Sequence, residues 1–334
     1  MNRIYRVAHV GCGVISDNHL DALVKNESVE LVALCDVRLE RAEAKREQYG
    51  IACEVYADYV EMLDAVKPDA VHIATPHHLH CDMACEALGR GINVFLEKPI
   101  CIKREEIDRL ISAERASEGR VCVCFQNRFN PATVYAQRVV AEDGGAVTAY
   151  ASLFWNRDEA YYNSDEWRGK AATEGGGVMI NQAIHTLDLL CLFFGIPQKV
   201  CATTANHRLK GVIDVEDTCE GVIEFEAGRR ASFHATNAYG GRDNTTVFIE
   251  TKNHKVEIRT SHLYVDDERI DGADNVIPSF GKACYGTGHG ELIDSFYDAL
   301  TTGKEMPVTV ESAQHAVRLL LSAYESKDEF VTVR

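Results

Sequence analysis

Apolar positions along the chain follow one pattern up to about residue 126 and another pattern beyond it. In the first part, short apolar runs alternate with segments in which apolar residues recur every three or four positions, which predicts strands alternating with helices. In the second part, longer runs alternate apolar and polar residues between turn signals, which predicts strands joined without helices. We therefore expect two domains, residues 1–126 and residues 127–334.

The first domain is predicted to be a doubly wound parallel sheet of the Rossmann type, because its strands are joined by helical crossovers. The strands are expected at residues 6–10, 29–35, 54–56, 70–74, 93–96 and 121–125, and the helices at 17–25, 39–49, 59–66, 79–90 and 103–118. Ligands of such sheets bind at the carboxyl ends of the strands. Here these ends are residues 11–16, 36, 75–80, 97–99 and 126–128.

The second domain is predicted to be α+β, with an open, largely antiparallel mixed sheet. Its strands are expected at residues 147–155, 199–206, 218–226, 229–237, 245–251 and 255–259, after a helix at 131–141. A helix led by three glycines is inserted between the first two strands. A loop over residues 266–288 and helices at 291–302 and 311–326 complete the chain.

A glycine turn joins the first strand to the first helix. Gly11 allows the tight turn, Gly13 lets a pyrophosphate approach the backbone, and Ser16 stands where a third glycine is often found. Asp36, 20 residues beyond Ser16, is placed to accept hydrogen bonds from an adenosine ribose. An ordinary βα turn is the alternative, but the flanking strand and helix and Asp36 favour a dinucleotide site. Asp36 favours NAD over NADP, although Arg38 can accept the 2′-phosphate of NADP.

The predicted cofactor-binding residues lie at these strand ends: Gly11, Gly13, Val14, Ile15, Asp36, Val37, Arg38, Thr75, Pro76, His77, His80, Glu97, Lys98 and Gln126. Three histidines and two cysteines between residues 77 and 85 raise the possibility of a metal site. No second cluster offers further ligands at zinc-site spacing, so we predict no metal.

Two further segments carry candidate chemistry. Lys98, at the end of the fifth strand, can be partly desolvated so that its ammonium lies near a reacting oxygen, although a surface ion pair with Glu97 is the alternative. The helix after Gly175-Gly176-Gly177 places Asn181, His185 and Asp188 within one narrow face at about 100° per residue. A polar helix face pointing inward is a candidate active site, or else a buried face with a satisfied core histidine.

Composition narrows the class of partner. Lys and Arg number 35 and Asp and Glu 51, a net charge of −16, which disfavours nucleic acid and anionic membranes as partners. Twelve cysteines in periodic segments indicate buried thiols of a reducing compartment. With no apolar run of membrane-spanning length, we expect a cytoplasmic protein that acts on a small molecule.

Taken together, the motifs resemble the glucose-fructose oxidoreductase, inositol dehydrogenase and MocA family of NAD(P)-dependent oxidoreductases. The resemblance covers nearly the whole chain. It rests on Gly11-x-Gly13, Thr75-Pro76 with His80, Glu97-Lys98-Pro99, Asn127-Arg128-Phe129-x-Pro131, Trp167-Arg168 followed by Gly175-Gly176-Gly177, Asn181-x-x-x-His185-x-x-Asp188 and Gly288-His289. The string Asn181-Gln182-x-Ile184-His185-x-x-Asp188-Leu189-Leu190 resembles the branch of sugar-nucleotide 3-dehydrogenases and related sugar dehydrogenases.

The resemblance implies that residues 127–334 form a substrate and oligomerisation domain, with homodimers or homotetramers built through its sheet. It implies that Lys98 and His185 flank the substrate carbon that faces the nicotinamide. Many members carry aspartate where this chain has Asn181, so a carboxylate that raises the basicity of His185 is in doubt. The implied substrate-binding residues are Arg128, Trp167, Arg168, Asn181, His185 and His289.

The residue types fit oxidation of a secondary ring hydroxyl of a sugar, glycoside or sugar nucleotide. His185 would be the base, Lys98 would lower the pKa of the hydroxyl, and Asn181 would orient its neighbours. Trp167 suits stacking on a sugar face, with core filling as the alternative, and Arg168 would pair with an anionic group or with Glu166 or Asp165. The alternative functions are an NAD-dependent glycosidase that uses transient oxidation and a non-catalytic cofactor-sensing regulator.

Overall fold

The structure, a computed structural model, describes residues 3–276 and 286–334. Its first sheet has six parallel strands in the order β3-β2-β1-β4-β5-β6. This is the order of a dinucleotide-binding sheet. Successive strands are added on one side of β1 up to β3 and on its other side from β4 onward. The strands are β1 (Tyr5–Val10), β2 (Val29–Cys35), β3 (Glu54–Tyr56), β4 (Ala70–Ile73), β5 (Asn93–Leu96) and β6 (Val121–Val123). The predicted Rossmann-type parallel sheet is confirmed.

Helices connect these strands, as the apolar period predicted. They are α1 (Ser16–Lys25), α2 (Leu39–Tyr49), α3 (Tyr59–Val66), α4 (His80–Leu88) and α5 (Arg104–Arg115). In α1, Leu20 and Leu23 are fully buried, and each contributes about 2 kcal/mol by leaving water. Asp58 caps α3 by accepting a hydrogen bond from the backbone N–H of Glu61 at 2.7 Å.

The second sheet has nine strands in the order β14-β13-β12-β11-β7-β10-β9-β8-β15. The pair β7 and β10 is parallel and the other neighbours are antiparallel, so the predicted mixed, largely antiparallel sheet is confirmed. The strands are β7 (Thr148–Phe154), β8 (Pro197–Ala205), β9 (Thr218–Phe225), β10 (Arg230–Thr236), β11 (Asn244–Glu250), β12 (Lys255–Arg259), β13 (His262–Val265), β14 (Glu268–Arg269) and β15 (Val331–Thr332).

The remaining helices are α6 (Pro131–Glu142), α7 (Glu159–Tyr162), α8 (Ile184–Phe194), α9 (Gly288–Thr302) and α10 (Val310–Ser326). A π-helix at Met179–Ala183 leads directly into α8. Ten of the 11 residues of α8 are buried, and the helix packs against β7, whose Ala149, Ala151 and Leu153 are buried. Tyr150 alternates with them and is exposed, which leaves an open sheet face.

Four short elements were not expected from the sequence: α7, β13, β14 and β15. They contain two to four residues each, too few to establish a period. The strand β14 lies inside the predicted loop over residues 266–288, of which residues 277–285 lie outside the described part of the chain.

The chain divides into two compact units. The first contains Met1–Gln126 and His289–Ala313, and the second contains Asn127–Gly288 and Gln314–Arg334. The functional division after residue 126 stays a prediction. In the described part of the chain, no helix is both long enough and apolar enough to cross a membrane.

Candidate active site

The turn after β1 has the geometry of a phosphate-binding loop. Gly11 adopts a φ of +91°, its N–H donates to the carbonyl of Cys35 at 2.9 Å, and an added Cβ would lie 2.4 Å from the carbonyl oxygen of Ala74. Glycine is therefore required at position 11 for the backbone itself. At Gly13 an added Cβ would meet no atom of the described residues within 4 Å, so the space above this peptide is open.

The N-terminus of α1 faces the same turn. Ile15 precedes the helix, and within the described residues no side chain caps the first turn from this position. Ser16 donates from Oγ to the carbonyl of Gly13 at 2.5 Å, which closes the turn onto the helix. Uncapped N–H groups at the positive end of the helix dipole favour an anion. Val14 beside them is 78% exposed.

Asp36 is fixed at the end of β2. Its Oδ2 accepts the N–H of Cys12 at 2.8 Å, and its Oδ1 accepts the N–H of Arg38 at 2.9 Å. Each carboxylate oxygen keeps lone pairs for a further donor, so the side chain can also receive a ribose hydroxyl. Val37, which follows, is 86% exposed and offers an apolar surface.

His80 is occupied by the backbone. Its Nδ1 lies 2.6 Å from the carbonyl of Pro99, and its Nε2 lies 2.8 Å from the carbonyl of Thr75. The buried ring thus ties the loop after β4 to the loop after β5, while Pro76 precedes a short 3-10 turn that contains the buried His77. A direct contact of His80 with the cofactor stays a prediction.

Glu97 lies at the centre of a buried polar group. His19 Nε2 is 3.0 Å from its Oε1, His289 Nε2 is 3.7 Å from the same oxygen, and the N–H of Lys98 donates to its Oε2 at 3.1 Å. Burial raises the pKa of Glu97, but hydrogen bonding with His19 and His289 outweighs it, so the pKa lies well below its usual range. Glu97 is therefore a carboxylate that anchors the loop carrying the half-buried Lys98.

A histidine network continues beneath this loop and was not foreseen from the sequence. His9 and His72 are opposite each other in β1 and β4, and one ring nitrogen of each lies within 4.8 Å of one of His19. His19 Nδ1 is 3.1 Å from His72 Nδ1, and His72 Nε2 is 2.9 Å from the hydroxyl of Tyr297. The sequence did contain a signal for this network, because His9 and His72 stand in two strands that were predicted to be buried.

Gln126 ends the first unit with a buried side chain whose Oε1 has no hydrogen-bond partner in residues 3–276 and 286–334. Buried polar atoms are normally satisfied, so this acceptor suits a ligand donor. The open peptide at Gly13, the uncapped helix and the held Asp36 also fit a dinucleotide. These residues would hold the phosphates at the turn and the ribose at Asp36.

In the second unit, the glycine run is packed against a buried carboxylate. Glu216 accepts the N–H of Gly177 at 2.9 Å, the N–H of Met179 at 3.0 Å and the hydroxyl of Tyr324 at 2.8 Å. A Cβ at Gly177 would lie 1.8 Å from the carbonyl oxygen of Glu216, so only glycine fits. This support fixes the start of the π-helix.

Asn181 and His185 lie on either side of the junction between the π-helix and α8. Asn181 is half-buried, and its amide nitrogen donates to Oε1 of the buried Glu174. His185 is 8% exposed. The prediction of one face at about 100° per residue does not hold across Met179–Ala183, because a π-helix turns less per residue. Glu174 was not identified from the sequence, although it immediately precedes the glycines.

Asp188, the third member of the predicted face, is bound to Arg128. Arg128 donates from Nε to Oδ2 at 2.8 Å and from Nη2 to Oδ1 at 2.5 Å. Burial raises the pKa of Asp188, and the guanidinium opposes that shift. The predicted substrate contact of Arg128 is untested, and in this structure its guanidinium holds α8.

Trp167 and Arg168 form an aromatic and cationic stack. The Arg168 guanidinium carbon lies 4.7 Å from the centre of the Trp167 ring and 4.6 Å from that of Tyr161, and its Nη1 donates to the Tyr161 hydroxyl at 2.6 Å. Tyr161 also accepts from Gln182, on the π-helix, at 3.2 Å. The two predicted residues are thus brought together and connected to the helix.

The predicted residues fall into both units. Lys98 and His289 belong to the first unit, whereas Asn181, His185, Arg128, Trp167 and Arg168 belong to the second. The pairing of Lys98 with His185 in one reaction stays a prediction.

Known proteins resemble the chain along its length. D-glucoside 3-dehydrogenase of Escherichia coli is 27% identical over 282 residues, 78% of this chain and 79% of that protein. D-xylose 1-dehydrogenase (NADP(+)) 2 of Haloferax volcanii is 26% identical over 309 residues, 90% of each chain. The crystal structure of the WlbA dehydrogenase from Bordetella pertussis in complex with NADH and UDP-GlcNAcA has a TM-score of 0.86 at 26% identity and covers 100% of this chain and 99% of its own.

Two family descriptions match successive parts of the sequence. "Oxidoreductase family, NAD-binding Rossmann fold" matches residues 5–125, and "GFO/IDH/MocA C-terminal domain" matches residues 135–254. Both matches agree with the fold and with the dinucleotide-binding features of the first unit. The chain belongs to the GFO/IDH/MocA family of NAD-binding oxidoreductases.

Proposed function

We propose that this oxidoreductase oxidises a secondary ring hydroxyl of a sugar, glycoside or sugar nucleotide with NAD as the acceptor. The structural observation that carries the proposal is the junction of the supported π-helix with α8, which carries Asn181 and His185 in the same unit as the Trp167 and Arg168 stack. The similarity to dehydrogenases named for a D-glucoside and for D-xylose, and to a dehydrogenase crystallised with NADH and UDP-GlcNAcA, supports the substrate class.

His185 is proposed to take the hydroxyl proton, since an imidazole is a suitable base near neutral pH. Lys98 is proposed to lower the pKa of that hydroxyl by its positive charge. Bound NAD supplies the acceptor for the hydride that leaves the substrate carbon. Trp167 would stack on a sugar face while Arg168, held between two rings, would meet an anionic group of the substrate.

Arg128 and His289 receive supporting roles in this proposal. Arg128 is bound to the buried carboxylate of Asp188, and His289 Nε2 lies 3.7 Å from the buried carboxylate of Glu97. Their first effect on the reaction would therefore be to hold α8 and the loop that carries Lys98.

A homodimer or homotetramer built through the open face of the nine-stranded sheet is also proposed. Tyr150 is 42% exposed there and stacks on Phe248 of the neighbouring strand at 5.2 Å. Light scattering coupled to gel filtration tests this, and a monomeric mass for the wild type would contradict it. Tyr150→Lys should lower the mass, while Glu43→Lys, at an exposed position of α2 outside this sheet, is the control.

A cytoplasmic location is proposed as well. Cysteines in the described ranges form no disulfide bonds, which suits a reducing compartment.

The proposed reaction is tested by incubating the protein with NAD or NADP and a panel of free sugars, glycosides and UDP-sugars. Formation of NADH at 340 nm with a ketone product supports the proposal. Release of an aglycone without net NADH would instead establish a glycosidase that oxidises transiently. Tight NADH binding without turnover on any member of the panel would favour a cofactor-sensing regulator.

A further inference from the structure

Glu174 is a buried carboxylate outside the set of site residues that the sequence indicated. It is 1% exposed, its Oε1 accepts the side-chain amide of Asn181, and its Oε2 accepts the backbone N–H of Gly169. One contact is with the backbone and the other with a residue of the proposed site. The carboxylate is thus fixed on one side and acts on Asn181 on the other.

The contact determines how the Asn181 amide is oriented. An ionised carboxylate can only accept hydrogen bonds, so the nitrogen of the amide must face Glu174. The carbonyl oxygen of the same planar group then points away from Glu174. Asn181 is half-buried, and a carbonyl oxygen with two lone pairs can accept a further hydrogen bond.

Building on the proposed sugar oxidation, we propose that Glu174 is a positioning residue that orients Asn181 so that its Oδ1 accepts a hydrogen bond from a substrate hydroxyl. Ionised Glu174 and Asn181 act as one acceptor unit. Protonated Glu174 would carry a hydrogen that competes with the amide N–H, so the amide would turn and present a donor to the substrate instead.

The protonation state of Glu174 changes within the working pH range. Burial raises its pKa to about 7, although the hydrogen bonds from Asn181 and Gly169 and the charge of Arg168 oppose the shift. Within the described residues, Glu216, Tyr162 and Tyr324 also act on it. Activity should therefore rise through pH 7 as Glu174 ionises.

A charge exchange between the two positions tests the inference. Glu174→Gln should lower kcat/KM about tenfold or more at pH 8 and remove the part of the pH profile that depends on Glu174, with NADH affinity unchanged. Asn181→Asp should also lose activity, because two adjacent carboxylates cannot both ionise easily. In the Glu174→Gln/Asn181→Asp variant, the new glutamine can accept from Gly169 and donate to the new carboxylate at position 181, so kcat/KM should return to within about threefold of wild type.

Glu216→Gln is the matched control, because Glu216 is another buried carboxylate of this segment that binds Gly177 and Tyr324. It should lower thermal stability and, because the charge of Glu216 raises the pKa of Glu174, move the midpoint of the pH profile to lower pH without removing the dependence on Glu174. The inference is overturned if Glu174→Gln keeps the wild-type profile, if Glu216→Gln alters it equally, or if the exchange variant is no better than either single variant. If Glu174→Gln does not fold, Asn181→Ala decides, since it should also remove the dependence on Glu174.

Stability measurements separate this inference from the proposed function. As the pH rises from 4.5 to about 7, the folded state keeps the Glu174 proton longer than the unfolded state, so stability should fall relative to Glu174→Gln. Asn181→Ala removes a hydrogen bond to the ionised form and should extend this fall to higher pH. If the sugar panel gives no turnover, this comparison still tests the coupling, and an identical pH dependence with and without Asn181 would overturn it.

Discussion

The guanidinium of Arg128 and the carboxylate of Asp188 meet through two parallel hydrogen bonds, with 11% and 1% of the two side chains exposed. Removing one partner of a buried pair leaves an uncompensated charge, which costs about 3–5 kcal/mol. We expect Arg128→Met to lower the free energy of unfolding by about 3 kcal/mol in urea titrations. Arg128→Met/Asp188→Leu should recover most of this loss, and a double variant as unstable as the single one would contradict the pairing.

Alanine substitutions at the two glycines of the first turn should affect different properties of the protein, cofactor affinity in one case and thermal stability in the other. Gly13→Ala adds a methyl group where the described residues leave open space, so the protein should keep its Tm within a few degrees but bind NADH at least about tenfold more weakly. Gly11→Ala places a Cβ against Ala74 at a φ of +91° and should lower the Tm itself. Calorimetry and fluorescence titration of NADH distinguish the two losses.

Asp36 should control the choice of cofactor. Asp36→Ala removes the acceptor proposed for the ribose, so affinity for NADH should fall about tenfold while affinity for NADPH changes less. Titration of both cofactors against the variant measures the ratio. An unchanged ratio would mean that Arg38 or other contacts dominate. Because Asp36 also holds the N–H of Cys12, Asp36→Asn is the control that keeps one acceptor oxygen there.

Lys98→Ala and His185→Ala should each lower kcat about a hundredfold or more while leaving NADH affinity almost intact. Stopped-flow turnover with the best sugar of the panel, together with NADH titration, gives both quantities. His185→Gln and Lys98→Met keep the side-chain volume and serve as controls for packing. Wild-type turnover in either alanine variant would remove that residue from the mechanism.

The buried histidines should make the fold sensitive to acid. Burial, followed by the charge of His19, lowers the pKa of His9 from 6.5 to about 3. The unfolded chain therefore binds more protons across this range, and stability is lost as the pH falls from 6.5 towards 3. Relative to His9→Met, wild type should lose about 1.4 kcal/mol per pH unit in that window, as measured by urea unfolding. A pH-independent difference would mean that His9 is not held neutral.

The sequence predicted the long elements well because each of them repeats its apolar period several times. The bounds predicted for β2, β3, α2, α3, β5 and β12 agree with the structure, and the remaining predicted elements differ by a few residues at their ends. The ends differ because local hydrogen bonds decide them, such as that from Ser16 to Gly13 at the start of α1, and a hydrophobic period does not report such contacts.

The candidate site was harder to predict, since its support comes from residues distant in sequence. Glu216 lies 39 residues beyond Gly177, whose N–H it accepts. The π-helix also has no signature in the apolar pattern of α8. Gly11 and Asp36, by contrast, could be recognised from the sequence. The tight turn requires glycine at position 11, and Asp36 stands at the end of a predicted strand where a ribose-binding carboxylate is expected.

The wider turn at Met179–Ala183 changes the angle around the helix axis between the side chains of Asn181 and His185. In a regular α-helix, Asn181 and His185 would lie about 40° apart around the axis. The π-helical turn takes up one more residue than an α-helical one, so the angle between these two side chains depends on the number of residues in the turn. Deleting one residue there would redirect Asn181 relative to His185 while leaving both in the chain. The number of residues in this segment therefore matters to the geometry of the site as much as their identities do.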